Sequence, residues 1–312
     1  MASNQPSVFI DGEAGTTGLG IRKRLEMVPE IALRSLPAAQ RKDPSARQDM
    51  MAACDLVVLC LPDDAAREAV ALAQALGSDA PKLLDASTAH RVDPEWTYGF
   101  PEMAPDQPGK IETSRKVANP GCYPTGAIGL LRPLVQAGLL PPDYPITISA
   151  VSGYSGGGRS MIEAHDRVGG PAFELYALGL EHKHVPEIEF FAGLSRRPIF
   201  MPSVGHFRQG MLVSVPLYLD DLPGRPTGAD LREALRAFYE GSEHVTVPVC
   251  SGADKLEPEA LNGTDRLDLY VSANEPRRHA VLIARLDNLG KGAAGAAVQN
   301  LRRMLDLDSG PS

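Results

Sequence analysis

One cysteine stands where a thiol could act as a nucleophile. Cys122 lies in segment 118–125, which reads ANPGCYPT, directly after a short predicted strand and at the predicted start of a helix. Unpaired backbone N–H groups at a helix N-terminus favour the thiolate over the thiol. Cys54, Cys60 and Cys250 lie in or beside apolar strands, where cysteine is usually an inert small hydrophobic residue. We therefore predict that Cys122 is the nucleophile.

Two closely spaced histidines are predicted to supply the acid–base group that such a thiolate needs. His182 and His184 flank a lysine and precede a predicted helix. Residues two apart in an extended loop point the same way, so both rings can face one pocket. His206, in segment 203–208, is an alternative base that position alone does not exclude. No third ligand stands at a metal-binding spacing from the pair, so no metal site is predicted.

A glycine-rich turn near the start of the chain predicts a dinucleotide-binding site. Segment 12–18 reads GEAGTTG and lies between a predicted strand and a predicted helix. Glycines let the backbone turn tightly against a pyrophosphate, and the helix N-terminus offers N–H groups to it. The spacing is G-x-x-G-x-x-G, so a plain strand-to-helix turn stays an alternative. The predicted cofactor contacts are Gly12, Gly15, Thr16, Thr17 and Gly18.

The end of the second predicted strand favours NADP over NAD. An NAD site usually holds the ribose with an acidic residue about 20 residues beyond the glycine turn. In this chain Arg34 and Ser35 occupy that place, Arg41 and Lys42 follow, and the first acidic residue is Asp43. Cations and a hydroxyl suit the additional 2′-phosphate of NADP. Solvated surface cations are the alternative interpretation.

A second glycine cluster, SGYSGGGR at 152–159, follows a predicted strand. The cluster suits either an anion-binding nest or closure around the substrate, with a flexible turn as the alternative. Ser152 and Gly153 are predicted to contact the substrate. A nucleotide loop, a nucleophilic cysteine and a histidine together predict that an activated acyl group becomes a thioester, which hydride then reduces. A cysteine hydrolase or acyltransferase, which needs no nicotinamide, and a catalytically silent nucleotide-binding regulator are the rivals from other classes.

Hydrophobic periodicity predicts an α/β protein of two domains. Strands and helices alternate in the first third, which indicates crossover units and a parallel Rossmann-type sheet. Strands outnumber helices in the second part, which indicates a mixed sheet with helices on one face. We expect a dinucleotide-binding domain at 1–121, with 290–312 packing back on it. A catalytic and oligomerisation domain is expected at 122–289.

Composition excludes several other classes of protein. The 312 residues are 43% apolar, carry a net charge of −8 and contain no long basic run, which argues against disorder and nucleic-acid binding. The longest strongly apolar run, 56–61, is far shorter than the ~20 residues of a membrane helix. The N-terminus lacks the pattern of a signal peptide, and the cysteines form no C-x-x-C pair. A cytoplasmic location without membrane contact is expected.

The chain resembles the short form of the N-acetyl-gamma-glutamyl-phosphate reductases of arginine biosynthesis. The resemblance spans nearly the whole chain, and its cysteine and histidine segments are together highly specific. It is carried by the segments GEAGTTG (12–18), LDAS (84–87), YGFPE (98–102), NPGCYP (119–124), VSGYSG (151–156), HKHVPE (182–187) and DNLGKG (287–292).

This resemblance implies roles for further residues. The family's nucleophile falls on Cys122, and its paired histidines fall on His184 as the base and His182 near the substrate. Tyr176, six residues before His182, corresponds to a substrate-site tyrosine. The resemblance also implies that Asn288 lies near the nicotinamide. The further contacts expected are Ser87 with the cofactor and Asn119, through its amide, with the oxyanion.

The resemblance further implies NADPH as cofactor and a homodimer or homotetramer. In the implied reaction, Cys122 attacks the γ-carbonyl of N-acetylglutamyl 5-phosphate, phosphate leaves, and reduction of the thioester yields N-acetylglutamate 5-semialdehyde. Aspartate-semialdehyde dehydrogenase uses similar chemistry and is the rival within the same class. Spacing does not choose among Arg115, Arg159 and Arg208 for the substrate's phosphate or carboxylate.

Overall fold

A computed structural model describes residues 5–250 and 255–307 of the chain. The chain divides into two compact units, which we call the first unit and the second unit. The first unit holds the chain up to Pro120 together with the segment from Ala293, and the second unit is Gly121–Gly292. The described residues 5–120 and 293–307 therefore fold into the same unit.

Strands and helices alternate along much of the described chain. The strands are β1 (Ser7–Asp11), β2 (Ala32–Arg34), β3 (Leu56–Leu59), β4 (Lys82–Asp85), β5 (Thr97–Tyr98), β6 (Lys116–Ala118), β7 (Thr147–Gly153), β8 (Phe173–Leu175), β9 (Ile199–Gly205), β10 (Met211–Tyr218), β11 (Val245–Thr246), β12 (Leu267–Asn274) and β13 (His279–Leu286). The helices are α1 (Thr16–Leu25), α2 (Pro44–Ala52), α3 (Asp63–Gln74), α4 (Gln107–Thr113), α5 (Cys122–Gln136), α6 (Gly158–Val168), α7 (Val185–Ala192), α8 (Gly228–Phe238) and α9 (Gly295–Met304). A π-helical turn, Gly290–Ala294, leads into α9.

The first unit is a six-stranded sheet in the order β2-β1-β3-β4-β6-β5, and all its pairings are parallel. This confirms the predicted parallel sheet. The strand order reverses at β1, because β2 lies on one side of it and β3 on the other. Ligands of open α/β sheets bind at the carboxyl ends of the strands beside such a reversal. The glycine turn 12–18 follows β1 at this point.

Two apolar layers cover the parallel sheet. One cluster includes Val8 and Ile10 of β1, Ile21 of α1 and Leu301 of α9. The opposite layer includes Phe9 of β1 with residues of α2 and α3. Every residue of β3 is buried, which is why its sequence is a continuous apolar run. Strand β2 is short, since it pairs with β1 only over Ala32–Arg34.

The second unit is a seven-stranded mixed sheet in the order β11-β12-β13-β10-β7-β9-β8. The β7–β9 and β11–β12 pairings are parallel, and the others are antiparallel. The predicted mixed sheet is therefore confirmed. Helix α5 packs against the central strands, where Gly126 faces Val213 and Gly129 faces Leu267. These glycines let the helix lie close to the sheet.

The described helices include none long and apolar enough to cross a membrane. Pro62 is the N-cap residue of α3, and Asp63 is its first helical residue. The Asp63 carboxylate accepts hydrogen bonds from the backbone and side chain of Thr88. It thereby ties the loop after β4 to the start of α3.

Candidate active site

Cys122 is the first residue of α5, and its side chain is half-buried. Gly121 precedes it in an extended conformation, with φ −74° and ψ 153°. The backbone N–H of Gly121 donates to Glu187 Oε1 at 2.8 Å, which anchors the start of α5 to α7. The first-turn N–H groups of a helix carry partial positive charge, so this end of α5 favours an anion at Cys122.

The other cysteines lie in less reactive surroundings. Burial raises the pKa of the Cys54 thiol to about 11, against the opposing charge of Arg34. Burial also raises the pKa of the Cys60 thiol, and two neighbouring carboxylates add to the effect. Cys250 is half-buried and precedes residues outside the described chain. The raised thiol pKa values of Cys54 and Cys60 contrast with the position of Cys122 at a helix start.

Gly292 packs directly against the predicted nucleophile. A Cβ atom at Gly292 would lie 2.8 Å from Cys122 Cβ and 3.1 Å from the carbonyl oxygen of Asp287. The N–H of Gly292 donates to that same carbonyl at 2.9 Å, which holds the segment in place. The segment after β13 therefore forms one wall around Cys122, and only glycine fits there without displacement.

We expect Gly292→Ala to lower kcat about tenfold to hundredfold, because a displacement of ~1 Å at a reacting group costs rate on this scale. Overpacking should also lower the free energy of unfolding by about 1–3 kcal/mol. Steady-state kinetics and thermal melting measure both effects. Gly109→Ala is the matched control, since a Cβ there meets nothing within 4 Å. Wild-type kcat in Gly292→Ala would contradict the close packing.

A chain of hydrogen bonds joins two tyrosines to the first histidine. Tyr123 Oη donates to the carbonyl oxygen of Ser203 at 3.0 Å, and Tyr176 Oη donates to Tyr123 Oη at 3.3 Å. The Tyr176 hydroxyl lies 3.5 Å from His182 Nε2. Burial raises the pKa of Tyr176 to about 12 and raises that of Tyr123 as well. Both phenols therefore stay protonated near neutral pH.

His182 is held in one neutral tautomer. The backbone N–H of His184 donates to His182 Nδ1 at 3.1 Å, so Nδ1 is an acceptor and the ring proton lies on Nε2. Burial, with the nearby charge of Lys183, lowers the pKa of His182 to about 4. His182 is thus uncharged near neutral pH and can donate a hydrogen bond from Nε2, which suits contact with a substrate oxygen.

His184 lies in the same cluster, at the residue that precedes α7. Its side chain is buried, and its ring centre lies 4.7 Å from that of His182 and 5.9 Å from that of Tyr123. Tyr123 directly follows Cys122 in the chain. The structure therefore brings His182, His184 and Tyr176 together around the residue next to Cys122.

The alternative base, His206, belongs to a different cluster. Its Nδ1 lies 2.9 Å from Nδ1 of the buried His165. Tyr154 stacks on His165, with ring centres 4.6 Å apart, and its hydroxyl donates to Asp166 at 2.9 Å. His206 is thus engaged with a second imidazole that no sequence motif indicated.

Asn288 connects three loops of the second unit. Its Oδ1 accepts from the N–H of Gly210 at 2.8 Å, and its Nδ2 donates to Ser155 Oγ at 2.9 Å. Ser152 is buried, and its hydroxyl donates to the carbonyl oxygen of Gly153 at 3.1 Å. The side chain of Asn288 thus orders the second glycine cluster. The N–H of Gly153 in turn bonds to the carbonyl of Gly210.

The glycine turn of the first unit has the geometry that a dinucleotide phosphate needs. Gly12 has a φ of +89°, and a Cβ there would collide with the carbonyl oxygen of Cys60. A Cβ at Gly18 would lie 2.6 Å from the carbonyl oxygen of Gly12. Gly15 is the N-cap residue and Thr16 begins α1, so the backbone N–H groups of the first helical turn lie at the turn. These residues fit a bound pyrophosphate.

The end of β2 holds a cluster of charged groups that sequence position did not reveal. Ser35 Oγ donates to Glu13 Oε2 at 2.9 Å, and Arg22 Nη1 donates to the same oxygen at 2.6 Å. Arg41 Nη2 lies 2.6 Å from the other carboxylate oxygen, Oε1. The structure therefore brings together Ser35 and Arg41 of the predicted set. Arg34 is exposed and lies instead near Cys54. Its positive charge partly opposes the burial that raises the pKa of the Cys54 thiol.

Ser87 is fixed by a buried carboxylate. Its N–H and Oγ donate to Asp85 at 2.9 and 2.7 Å, and His90 Nδ1 lies 2.6 Å from the same carboxylate. His90 stacks on Trp96, with ring centres 4.4 Å apart. These contacts hold the loop after β4 at the carboxyl edge of the parallel sheet. Ser87 thus lies on the edge that also carries the glycine turn.

Both polar atoms of the Asn119 side chain are hydrogen-bonded. Its Nδ2 donates to the carbonyl of Ala293 at 3.1 Å, and its Oδ1 accepts from Asn300 Nδ2 at 3.1 Å. Arg91 Nε donates to the backbone carbonyl of Asn119 at 2.9 Å. The segment that precedes Cys122 is therefore rigidly placed within the first unit.

The three arginines left open by spacing occupy unlike positions. Arg115 precedes β6 at the amino edge of the parallel sheet, opposite the glycine turn, and bonds to the carbonyl of Ala80. Arg159 and Arg208 are exposed in the second unit. Arg159 pairs with Glu163 at 2.9 Å, and Arg208 lies 3.5 Å from a carboxylate oxygen of Asp166. This position at the amino edge argues against Arg115 as the residue that binds the substrate's phosphate or carboxylate.

Two family models match the chain. One is described as the dimerisation domain of semialdehyde dehydrogenase and matches residues 122–288. The other is described as the NAD binding domain of semialdehyde dehydrogenase and matches residues 37–111. The fold and the site thus define a semialdehyde dehydrogenase-type oxidoreductase, which confirms the predicted class of enzyme.

Comparison with curated relatives identifies the family within this class of enzymes. The chain is 53% identical over 306 residues to N-acetyl-gamma-glutamyl-phosphate reductase 2 of Pseudomonas putida, which covers 96% of this chain and 97% of the relative. It is 52% identical over 311 residues to N-acetyl-gamma-glutamyl-phosphate reductase of Burkholderia cenocepacia, covering 97% and 98%. The chain belongs to the N-acetyl-gamma-glutamyl-phosphate reductase family, which confirms the resemblance drawn from its motifs.

Solved structures share the fold at low sequence identity. Aspartate semialdehyde dehydrogenase II from Vibrio cholerae, complexed with ASA, has a TM-score of 0.70 at 15% identity and covers 97% of this chain and 99% of that one. Aspartate semialdehyde dehydrogenase with NADP from Candida albicans has a TM-score of 0.68 at 15% identity, covering 96% and 98%. At these identities the likeness establishes the fold alone.

Proposed function

We propose that this chain catalyses the NADPH-dependent reduction of N-acetyl-L-glutamyl 5-phosphate to N-acetyl-L-glutamate 5-semialdehyde, with release of phosphate, in arginine biosynthesis. One observation carries the proposal most directly: Cys122 begins α5 next to Tyr123, whose ring contacts the half-buried His182 and the buried His184. Reductases of this name from two other organisms are more than half identical to the chain. The activity therefore has both a chemical and a family basis.

The division of the chain supports a division of labour. We assign the first unit, which carries the glycine turn, to dinucleotide binding. The second unit, which begins just before Cys122, is assigned to catalysis and oligomerisation. Gly12, Gly15, Thr16, Thr17 and Gly18 would hold the pyrophosphate, and Ser87 and Asn288 are assigned to the nicotinamide end. NADPH supplies a hydride to the acyl carbon when it is bound.

In the proposed mechanism, the Cys122 thiolate attacks the γ-carbonyl carbon and the C–O bond to phosphate breaks. The product is a thioester on Cys122, and the departing phosphate takes up one proton from solvent. The backbone N–H of Cys122 and the Asn119 amide are the proposed donors to the oxyanion. Ser152, Gly153, Tyr176 and His182 are assigned to the substrate.

The second half of the reaction needs a residue that can both donate and accept a proton. After hydride addition, His184 as imidazolium donates a proton to the thiohemiacetal oxygen. It recovers that proton as the C–S bond breaks, so the semialdehyde leaves and Cys122 returns to the thiolate. In the opposite direction, neutral His184 removes the thiohemiacetal proton as hydride departs. His182 suits neither step, because its pKa of about 4 and its fixed tautomer keep it neutral.

The direct test is the reverse reaction. The enzyme is mixed with N-acetylglutamate 5-semialdehyde, NADP and phosphate, and NADPH formation is followed. We expect phosphate-dependent NADPH formation, with a much higher kcat/KM than for aspartate semialdehyde. A preference for aspartate semialdehyde would place the chain with the aspartate-semialdehyde dehydrogenases. Thioester hydrolysis without any binding of NADP would instead indicate a cysteine hydrolase.

We expect the chain to bind NADPH about tenfold to hundredfold more tightly than NADH. The 2′-phosphate can accept charge-assisted hydrogen bonds from the arginines that lie around Ser35, each worth roughly 1.5–3 kcal/mol. Titration calorimetry with each reduced cofactor measures the two dissociation constants. Equal constants would show that the arginines near Ser35 do not bind the 2′-phosphate.

The second unit also carries the surface that suits oligomerisation. On the face of its sheet away from α5, the side chains of Ile199 and Met201 in β9 are exposed. Phe173 and Leu175 of the edge strand β8 are exposed as well. The matching family model is a dimerisation domain. We propose a homodimer or homotetramer built on this face, with sedimentation velocity as the measurement of mass.

A further inference from the structure

Glu13 occupies a position that neither the glycine motif nor the assigned cofactor contacts explain. It lies inside the glycine turn, between Gly12 and Gly15, yet its side chain reaches to the residue directly after β2. Its side chain is 9% exposed, whereas those of Arg22 and Arg41 are 35% and 42% exposed. A buried carboxylate thus lies beneath two partly exposed guanidinium groups.

The hydrogen bonds make Glu13 the centre of this cluster. One carboxylate oxygen accepts from both Ser35 and Arg22, and the other faces Arg41. Arg22 Nη1 also donates to Ser35 Oγ at 2.7 Å. The three groups of this cluster that suit a 2′-phosphate are therefore already bonded to a carboxylate of the same chain.

This arrangement matters because, in Rossmann folds, residues at the end of β2 bind the adenosine ribose. An acidic residue there accepts a hydrogen bond from the ribose 2′-hydroxyl of NAD, whereas arginine binds the 2′-phosphate of NADP. In this chain the carboxylate arrives from the glycine turn, and the arginines arrive from α1 and from the segment after β2. A carboxylate that suits the 2′-hydroxyl of NAD and arginines that suit the 2′-phosphate of NADP therefore both lie around Ser35.

We propose that Glu13 is a specificity-determining residue that limits the preference for NADPH. Its carboxylate competes with the 2′-phosphate for Arg22 and Arg41 and repels the phosphate charge. The same carboxylate accepts the 2′-hydroxyl of NADH. The cations that bind the 2′-phosphate are accordingly Arg22 and Arg41, and Arg34 takes no part. This inference rests on the proposed function, because it assumes that the first unit binds a nicotinamide dinucleotide.

The test is the binding of NADPH and NADH, measured by titration calorimetry on the full chain without substrate. In Glu13→Gln, we expect the ratio of NADPH to NADH affinity to rise about tenfold, as NADPH binds more tightly and NADH more weakly. Glu26→Gln is the matched control, since Glu26 pairs with Arg22 at 3.1 Å but is exposed. Its ratio should stay within about twofold of the wild type.

Arginine variants test the same proposal without removing Glu13. Arg22→Met and Arg41→Met should each weaken NADPH binding about tenfold and leave NADH binding nearly unchanged. Arg34→Met should alter neither. These variants keep the proposal falsifiable if Glu13→Gln fails to fold, as circular dichroism would reveal.

The outcomes separate the two proposals. A ratio that stays constant or falls in Glu13→Gln would overturn the role of Glu13 as a competitor, and so would full NADPH affinity in both Arg22→Met and Arg41→Met. A large loss of NADPH affinity in Arg34→Met would also overturn it. A wild-type chain that binds neither NADPH nor NADH would instead contradict the proposed reductase function.

Discussion

Cys122→Ser is expected to lower turnover by at least about a thousandfold, because loss of a covalent nucleophile removes the entire thioester route. A serine hydroxyl at the start of α5 is un-ionised near neutral pH, and the helix terminus does not compensate for its far higher pKa. Measurement of NADPH formation from the semialdehyde, NADP and phosphate gives the rate. Binding of NADPH should be retained, which separates lost chemistry from lost folding.

The controls for this prediction come from the remaining cysteines. Cys250→Ala and Cys54→Ala should keep turnover within a few-fold of the wild type. Iodoacetamide labelling with peptide mapping should modify Cys122 first, since burial raises the pKa of Cys54 to about 11. Rapid labelling of Cys54 with an inert Cys122 would disprove the assignment of the nucleophile.

His184→Ala is expected to lower turnover about a hundredfold to ten-thousandfold, the usual range for loss of a general acid–base group. His182→Ala should chiefly raise KM, because His182 is assigned to the substrate as a neutral donor. The sharpest measurement is the first-turnover burst of NADPH on mixing with semialdehyde and NADP before phosphate is added. This burst reports hydride transfer and avoids the titration of phosphate.

The pH profile of that burst distinguishes the histidines. In this direction the base must be neutral, so the burst rate should fall as pH drops through the imidazole pKa of ~6.5. His182 cannot cause this fall in the burst rate, because its pKa is lowered to about 4. The fall should be absent in His184→Ala and present in His182→Ala and His206→Ala. A fall that is absent only in His206→Ala would identify His206 as the base.

Local sequence was sufficient for the elements around the candidate site. The glycine turn between β1 and α1 follows from residue types within a few positions of each other, as does the helix that begins at Cys122. Alternation of apolar runs with amphipathic segments was sufficient for the parallel sheet, because each pattern reflects the burial of one short element. Such features depend on neighbours along the chain.

The position of Glu13 beside Ser35 and the protonation state of His182 could be recognised only in the tertiary structure. Along the chain, no acidic residue follows Ser35 before Asp43, whereas in the fold Glu13 reaches Ser35 across 22 positions. Likewise, the tautomer of His182 depends on a backbone N–H from His184, and its lowered pKa depends on burial. Neither burial nor the direction of a hydrogen bond is encoded at one position.

The sequence by itself thus determined the fold class, the family and the types of residue able to do the chemistry. Tertiary structure decided which of those residues meet: His184 lies with Tyr123 and His182, His206 lies with His165, and Arg41 lies with Glu13. The physical reason is that secondary structure follows from short-range backbone and burial preferences. The convergence of distant side chains follows from the path of the whole chain, in which packing and paired charges are satisfied together.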